Sequence, residues 1–349
     1  MTIDPIALWV IPVADVGGVG RQVLDVARVG IPGWRLVVLC PPGPVADALE
    51  AMGRPVLKGP VDPASGIRAG VAEVRHTVKT LRPVVVHSHL SYADLLVAVG
   101  GAGARRLSTE HGIADDDLVY HGTMWRSRVA ALGHTARIRR FHGLIAVSEA
   151  TRRAMARKWH VTRPVTVIPN GVDRAGHASG GPGWRFLSLA RLAPEKRLPD
   201  LVAAFALVHG EHPEARLTIA GDGPAAGAVR SAVAAHDLAA AVTMPGFIDA
   251  AAALRRHDVL VQLSVFENCS YSLLDAMEHG LGVVASPVGG NLEMLPTTAL
   301  ADPSDPAGVA AAMVRQAMDP AARPTLPSSW PTVADMTARI AHAYAEAVS

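Results

Sequence analysis

Cysteine is nearly missing from this 349-residue chain: Cys40 and Cys269 are the whole supply. Two isolated thiols exclude a disulfide framework and a thiolate metal cluster, and make a reducing cytoplasm the expected compartment. Apolar runs long enough to cross a bilayer, about 20 residues, are also missing. The first apolar run, Ile6–Val13, follows Asp4 with no basic segment before it, so it reads as a strand and not as a signal peptide. Aromatic residues are only 4% of the chain, which reflects genome composition more than function. Strong charge of one sign is lacking too, at a net +2, and no nucleic-acid partner is expected. That small total hides an asymmetry. Residues 1–170 carry 21 Lys/Arg against 13 Asp/Glu, and the excess turns acidic beyond them. The asymmetry suggests that the first half meets something anionic or that the two halves attract each other across a cleft, with chance surface composition as the alternative.

What is present describes a globular α/β protein, with 50% hydrophobic and 18% charged residues. Short β-branched runs alternate with helical patterns. Strands are expected at Ile6–Val13, Leu36–Leu39, Val84–Val86, Leu144–Val147 and Val165–Ile168, and a helix at Ile67–Leu81. The Gly-rich stretch NGVDRAGHASGGPGW at 170–184 breaks the alternation, which restarts at Arg185–Leu189. Two Rossmann-like, doubly wound parallel-sheet domains follow, at 1–172 and 185–330, joined by a hinge at 173–184 and facing across a cleft. The last helix, within 331–349, is expected to cross back to the first domain.

The stretch SVFENCSYSLLDAMEHGLGVVASPVGGNLE, from Ser264 onward, organises the second half. Glu267 stands in a loop after the strand Val259–Leu263, and a helix follows that stops at Gly280. Asp275 comes eight positions after Glu267. Ser272-Leu273-Leu274-Asp275 fits a capping box, so Asp275 is expected in the first turn, where an acid is favoured in any case.

Other loops stand at strand ends in order: VGGVGR at 16–21, VVVHSH at 84–89, Glu110-His111-Gly112, LIAVSE at 144–149 and VIPNGVD at 167–173. LARLAPEK at 189–196, TIAGDGP at 218–224 and PGF at 245–247 complete the set. Together with the 264–293 stretch, this series resembles the family-four retaining glycosyltransferases (glycosyl transferases group 1), which have the two-domain GT-B fold. All three asparagines, Asn170, Asn268 and Asn291, fall inside these loops.

The resemblance implies transfer of a sugar from a nucleoside diphosphate, UDP or GDP, to an acceptor hydroxyl with retention of anomeric configuration. It implies donor-diphosphate contacts at Gly17, Gly18, Arg191 and Lys196, joined by the N–H groups of Ser272 and Leu273. Asp275, where the family has glutamate, is implied at the donor ribose. Glu267, Asn268, Cys269 and Ser270 are implied around the donor sugar, with Glu267 and His111 as the catalytic residues. Two further departures are Ala190, where glycine usually precedes the arginine, and Arg197, where glycine usually follows the lysine. No metal is expected, because fixed cations and N–H groups can neutralise the leaving diphosphate; Asp115-Asp116-Asp117 reads as a solvated run. The arginines of Gly122–Phe141, among them Arg126, Arg128, Arg137, Arg139 and Arg140, suggest a basic amphipathic surface for an anionic acceptor or weak peripheral contact with the inner face of a membrane. An ordinary helix leading into Leu144–Val147 is the simpler reading. A different class, a metal-dependent hydrolase, rests on His87-x-His89 sharing a strand face. A nucleotide-sugar epimerase or a silent sugar-binding protein would keep the same fold.

Overall fold

Apolar stretches such as Leu36–Leu39 and Val259–Val261 show no in–out alternation, as befits strands covered on both faces. The computed structural model describes residues 4–113, 133–174 and 180–349. Asp115-Asp116-Asp117 and the 122–132 part of the arginine-rich segment lie outside them. The described residues form two all-parallel sheets. The first contains β1 (Ile6–Val10), β2 (Arg35–Cys40), β3 (Val56–Lys58), β4 (Val85–His89), β5 (Arg105–Glu110), β6 (Gly143–Ala146) and β7 (Thr166–Val167), in the order 3-2-1-4-5-6-7. The second contains β8 (Arg185–Leu189), β9 (Arg216–Ala220), β10 (Val242–Gly246), β11 (Val259–Gln262) and β12 (Gly282–Ala285), in the order 10-9-8-11-12.

Strand order reverses between β1 and β4 in the first sheet, and between β8 and β11 in the second. These are the switch points at whose carboxyl ends open α/β sheets bind ligands. The loops leaving β1, β8 and β11 carry Gly17–Gly18, Arg191–Lys196 and Glu267, and β4 ends at His89. This is the GT-B arrangement, two Rossmann-like units.

The chain divides into a first unit, Met1–Gly171 with Pro331–Ser349, and a second, Val172–Trp330. In the first, alternate residues of β1 feed opposite cores. Trp9 and Ile11 pack with Val23, Ile340 and Tyr344 on one face, and Leu8 and Val10 with Leu96, Val97 and Met155 on the other. In the second, Phe186, Phe205, Leu201, Val259 and Met313 centre the core. The closing helix Val333–Val348 starts at a true capping box: Asp335 N–H donates to Thr332 Oγ1 (3.1 Å) and Thr332 N–H to Asp335 Oδ2 (3.0 Å).

Strand β1 stops at Val10, short of the expected Val13, because Pro12 cannot donate to a ladder. Elements that escaped the sequence reading include the helix Pro44–Ala51, hidden behind Pro41-Pro42-Gly43, the helices Glu149–Trp159 and Pro306–Met318, and the three-residue β3. Among the described residues, no helix is long and apolar enough to cross a membrane.

Candidate active site

In the second unit the site is built by loops lying backbone on backbone. Ala190 N–H donates to Ala220 O (3.1 Å) and Leu192 N–H to Asp222 O (2.8 Å), so the 221–223 turn clamps the loop that carries Arg191. Gly221 makes this possible: its φ is +130° and a Cβ there would lie 2.0 Å from Ala190 O. Arg191 leaves this clamp with its side chain 67% exposed, paired to Glu195 at 2.5 Å. Partial burial works against ionising Glu195, but its backbone hydrogen bond and Arg191 outweigh it and hold the carboxyl below its ordinary range.

The turn Pro194–Lys196 is tied to the loop after β11 by Val265 N–H to Glu195 O, 2.8 Å. This brings Lys196 Nζ to 3.1 Å from Glu267 Oε2 and 3.3 Å from Ser264 Oγ. Glu267 is fixed through its own backbone. Gly290 N–H donates to its carbonyl at 3.1 Å, and Gly289, at φ +49°, presses so closely that a Cβ would lie 1.9 Å from that oxygen. Lys196 and Glu267 are each about one-fifth exposed, at 20% and 19%, so they are held in place and still reachable.

Asn268, Cys269 and Ser270, expected around the donor sugar, are all buried side chains. Ser270 Oγ accepts from Gln262 Nε2 at 3.1 Å, which makes it part of the loop's scaffold. The helix Tyr271–Glu278 then opens with no side-chain cap, and the first helical bond is Leu274 N–H to Ser270 O. The Ser272 and Leu273 N–H groups therefore belong to the uncapped first turn. The expected capping box at Ser272–Asp275 is not formed. The helix starts at Tyr271, which makes Ser272 its second residue and puts half-buried Asp275 in the second turn, beyond reach of the helix's open N–H groups. Arg197 has φ +49°, the left-handed region where an arginine is strained.

The first unit contributes a different set. Gly17 caps the helix Gly18–Val29 without a side chain, both glycines are exposed, and a Cβ at either would meet nothing within 4 Å. The missing side chains leave open space in front of N–H groups that begin a helix. His111 follows β5 and places Nε2 2.8 Å from His89 Nδ1. Burial pushes its pKa down to about 4, so the ring is neutral at physiological pH.

His87 is wholly committed inside the fold. Trp9 Nε1 donates to Tyr344 Oη (2.6 Å), so the single Tyr344 proton goes to His87 Nδ1 (2.7 Å). His87 Nε2 then carries hydrogen and donates to Thr109 Oγ1 at 2.8 Å. Burial, with the charge of His111 adding to it, pushes this ring's pKa to about 3. His87 and His89 do share a strand face, with ring centroids 4.4 Å apart. With both His87 nitrogens occupied, they do not make the metal-ligand pair a hydrolase would need, and the described residues hold no group of three or more potential metal ligands.

Arg137 corrects the picture of a basic surface. It is buried beside Ile138, paired with Asp94 and donating to Glu110 Oε2 at 3.1 Å, while Arg139 and Arg140 are exposed. Asp94 also accepts from Ser88 Oγ (2.5 Å) and Ser108 Oγ (2.8 Å). One guanidinium cannot neutralise two buried carboxylates, and Asp94 holds the stronger donors. Glu110 is the one kept protonated, its pKa raised by burial to about 8. This cluster underlies the His111 loop and was missed in the sequence; its signal is an aspartate inside the otherwise apolar helix Leu90–Gly100.

The "Glycosyltransferase Family 4" model matches residues 16–175, and the "Glycosyl transferases group 1" model matches residues 184–319. Glycogen synthase of Mycobacterium tuberculosis is 32% identical over 198 residues, covering 50% of this chain and 48% of that protein. The match thus spans about half the length of this curated relative. Among solved structures, Anabaena HepE in complex with UDP and glucose aligns with a TM-score of 0.78 at 20% identity, over 96% of this chain and 94% of that one. HepE has also been solved with UDP-glucose. Sucrose-phosphate synthase from Thermosynechococcus elongatus gives a TM-score of 0.72 at 20% identity, over 99% and 96% of the two chains.

Proposed function

This chain belongs to the family-four glycosyltransferases, and from that premise we propose that it is a retaining enzyme moving a sugar from a nucleoside diphosphate to an acceptor hydroxyl of a glycan, glycolipid or specialised metabolite. The observation that carries the reading is Lys196 Nζ held 3.1 Å from Glu267 Oε2. One ammonium thereby stands beside the acid assigned to the sugar and, through the same turn, near the guanidinium assigned to the phosphates.

The barrier lies in breaking the anomeric bond, which builds positive charge on the sugar and negative charge on the departing diphosphate. Fixed positive charge and preorganised donors at that diphosphate lower it. Arg191 and Lys196 supply the charge, and the Ser272 and Leu273 N–H groups supply the donors. Lys196 has three donors; two reach Ser264 and Glu267, and the third remains for a phosphate oxygen. Glu267 addresses the sugar and Asp275 the ribose hydroxyls. These cations and N–H groups meet the leaving charge without a metal. His111, neutral and oriented by His89, serves the sugar as a hydrogen-bonding group. In a front-face reaction the departing phosphate takes the acceptor's proton, so no separate base is required.

A UDP-linked donor is favoured, with GDP the alternative; HepE, bound to UDP-glucose, supports the first. Two buried cysteines suit a cytoplasmic enzyme. A thermal-shift screen with UDP, GDP, ADP, TDP and their sugars identifies the donor, since a ligand at 100 times its Kd stabilises by about 2.7 kcal/mol. Lys196→Ala or Glu267→Ala should cut turnover by about 100-fold or more with the fold intact. Wild-type turnover by either variant would remove the assignment.

A further inference from the structure

Five arginines and a histidine gather at the amino-terminal edge of the first sheet. Arg82 ends the helix Ile67–Leu81, Arg105 and Arg106 open β5, and Arg140 and His142 lead into β6, with Arg163 beside them. Arg82, Arg105, Arg106 and His142 line an open pocket of about 570 Å³, to which Val348 also contributes. The strand β5 runs from Arg105 to Glu110, and at about 3.3 Å per residue it separates this pocket from His111 by roughly 17–20 Å. The pocket is therefore not part of the site described above.

Several other cations of this unit are paired: Arg21 with Asp25, Lys58 with Asp47 and Glu50, Arg137 with Asp94 and Glu110. Among the described residues, none of these five arginines has a carboxylate partner. Arg106 donates one nitrogen to Ala98 O, but its Nε is buried with no acceptor; Arg163 Nε and Nη2 are in the same state. His142 Nδ1 accepts from Arg106 N–H, so Nε2 bears the ring's proton and is one more donor. Arg82 holds left-handed backbone, φ +48°, a cost in free energy for a non-glycine residue. Burial, and then Arg106, Arg105 and Arg163, depress the His142 pKa, so every charge acting on that ring is positive. The pocket and its immediate surroundings, where Arg140 and Arg163 add their charge, have donors and positive charge in excess, and acceptors in deficit.

We propose that this pocket binds a phosphate-bearing anion, a phosphomonoester or diphosphate group, at a site separate from that of the sugar donor. Several guanidinium groups ask for more than one negative charge, and their planar forks fit phosphate oxygens. The group can belong to a soluble metabolite or to an anionic lipid headgroup; both present the same oxygens.

The test uses full-length Arg191→Ala/Lys196→Ala protein, in which the donor diphosphate contacts are removed. Inorganic pyrophosphate is titrated by calorimetry, and vesicles of phosphatidylcholine with or without phosphatidylglycerol are co-sedimented. Adding Arg82→Ala and Arg105→Ala, both exposed positions, should leave the melting temperature unchanged and weaken binding at least tenfold. Loss of pyrophosphate binding identifies a soluble ligand. Loss confined to phosphatidylglycerol vesicles identifies a headgroup. Binding unaltered by the two added substitutions, or no binding of either probe before them, overturns the proposal.

Discussion

Asp275 lies one turn deeper in its helix than a capping residue would, and that position separates its two possible roles. A cap would make the side chain structural. In the second turn Asp275 is half-buried and clear of the open N–H groups, so lengthening it by one methylene should not disturb the helix start. Asp275→Glu is expected to keep stability within about 1 kcal/mol in denaturant melts, because it neither removes a cap nor opens a cavity. Its donor KM should be unchanged or lower, and a large loss of stability would restore the structural role. Arg197 offers a second test. Its left-handed backbone suits glycine, while its bond to Asp200, 2.8 Å, joins partly exposed groups and is worth about 0–1 kcal/mol. Arg197→Gly should therefore be between neutral and about 1 kcal/mol more stable by urea titration.

The closing helix Val333–Val348 shows how an element distant in sequence reaches the His111 end of the first unit. Its Tyr344 orders the proton chain from Trp9 through His87 to Thr109, and His87 lies against His89, the partner of His111. Tyr344→Phe keeps the ring and strands two buried polar atoms, Trp9 Nε1 and His87 Nδ1. At about 1–3 kcal/mol for each unsatisfied group, the variant should unfold at clearly lower denaturant. An unchanged midpoint would show that water replaces the hydroxyl. The helix itself was legible from its apolar spacing and its Thr332–Asp335 box. Its return to the first domain was expected too, but its contacts with Trp9 and His87 were not, because periodicity gives the buried face of a helix but not the side chains that cover it.

For the whole molecule, the buried titratable groups of the first unit set opposing pH dependences. His87 and His111 have folded pKa values of about 3 and about 4, and His89 is also pushed well below 6.5 by burial. Below pH 6.5 the unfolded chain takes up protons that these rings refuse when folded, so stability falls as pH drops. Glu110, at about 8, acts with the other sign: between pH 4.5 and 8 the folded chain keeps a proton that the unfolded chain releases. Three imidazoles outweigh one carboxyl on the acid side, and Glu110 acts alone above 6.5. Stability measured by denaturant midpoint should peak near pH 6.5 and fall more steeply toward acid. A flat profile from 4.5 to 6.5 would mean that the folded imidazoles carry charge.

The amino-acid sequence by itself determined the two parallel-sheet units, the family and the loops that hold Arg191, Lys196 and Glu267. Apolar strands and glycines at tight turns are local requirements, and each leaves its mark on a few consecutive residues. Only the tertiary structure decided which polar residues are spent on the scaffold. In sequence His87 left open a metal ligand and Arg137 a surface cation, as the rival readings, yet both are buried in hydrogen-bond networks. Their partners, Tyr344, Thr109, Asp94 and Glu110, lie between 22 and 257 positions away. Burial and pairing arise from contacts remote in the chain, and these contacts fix the charge state of each group.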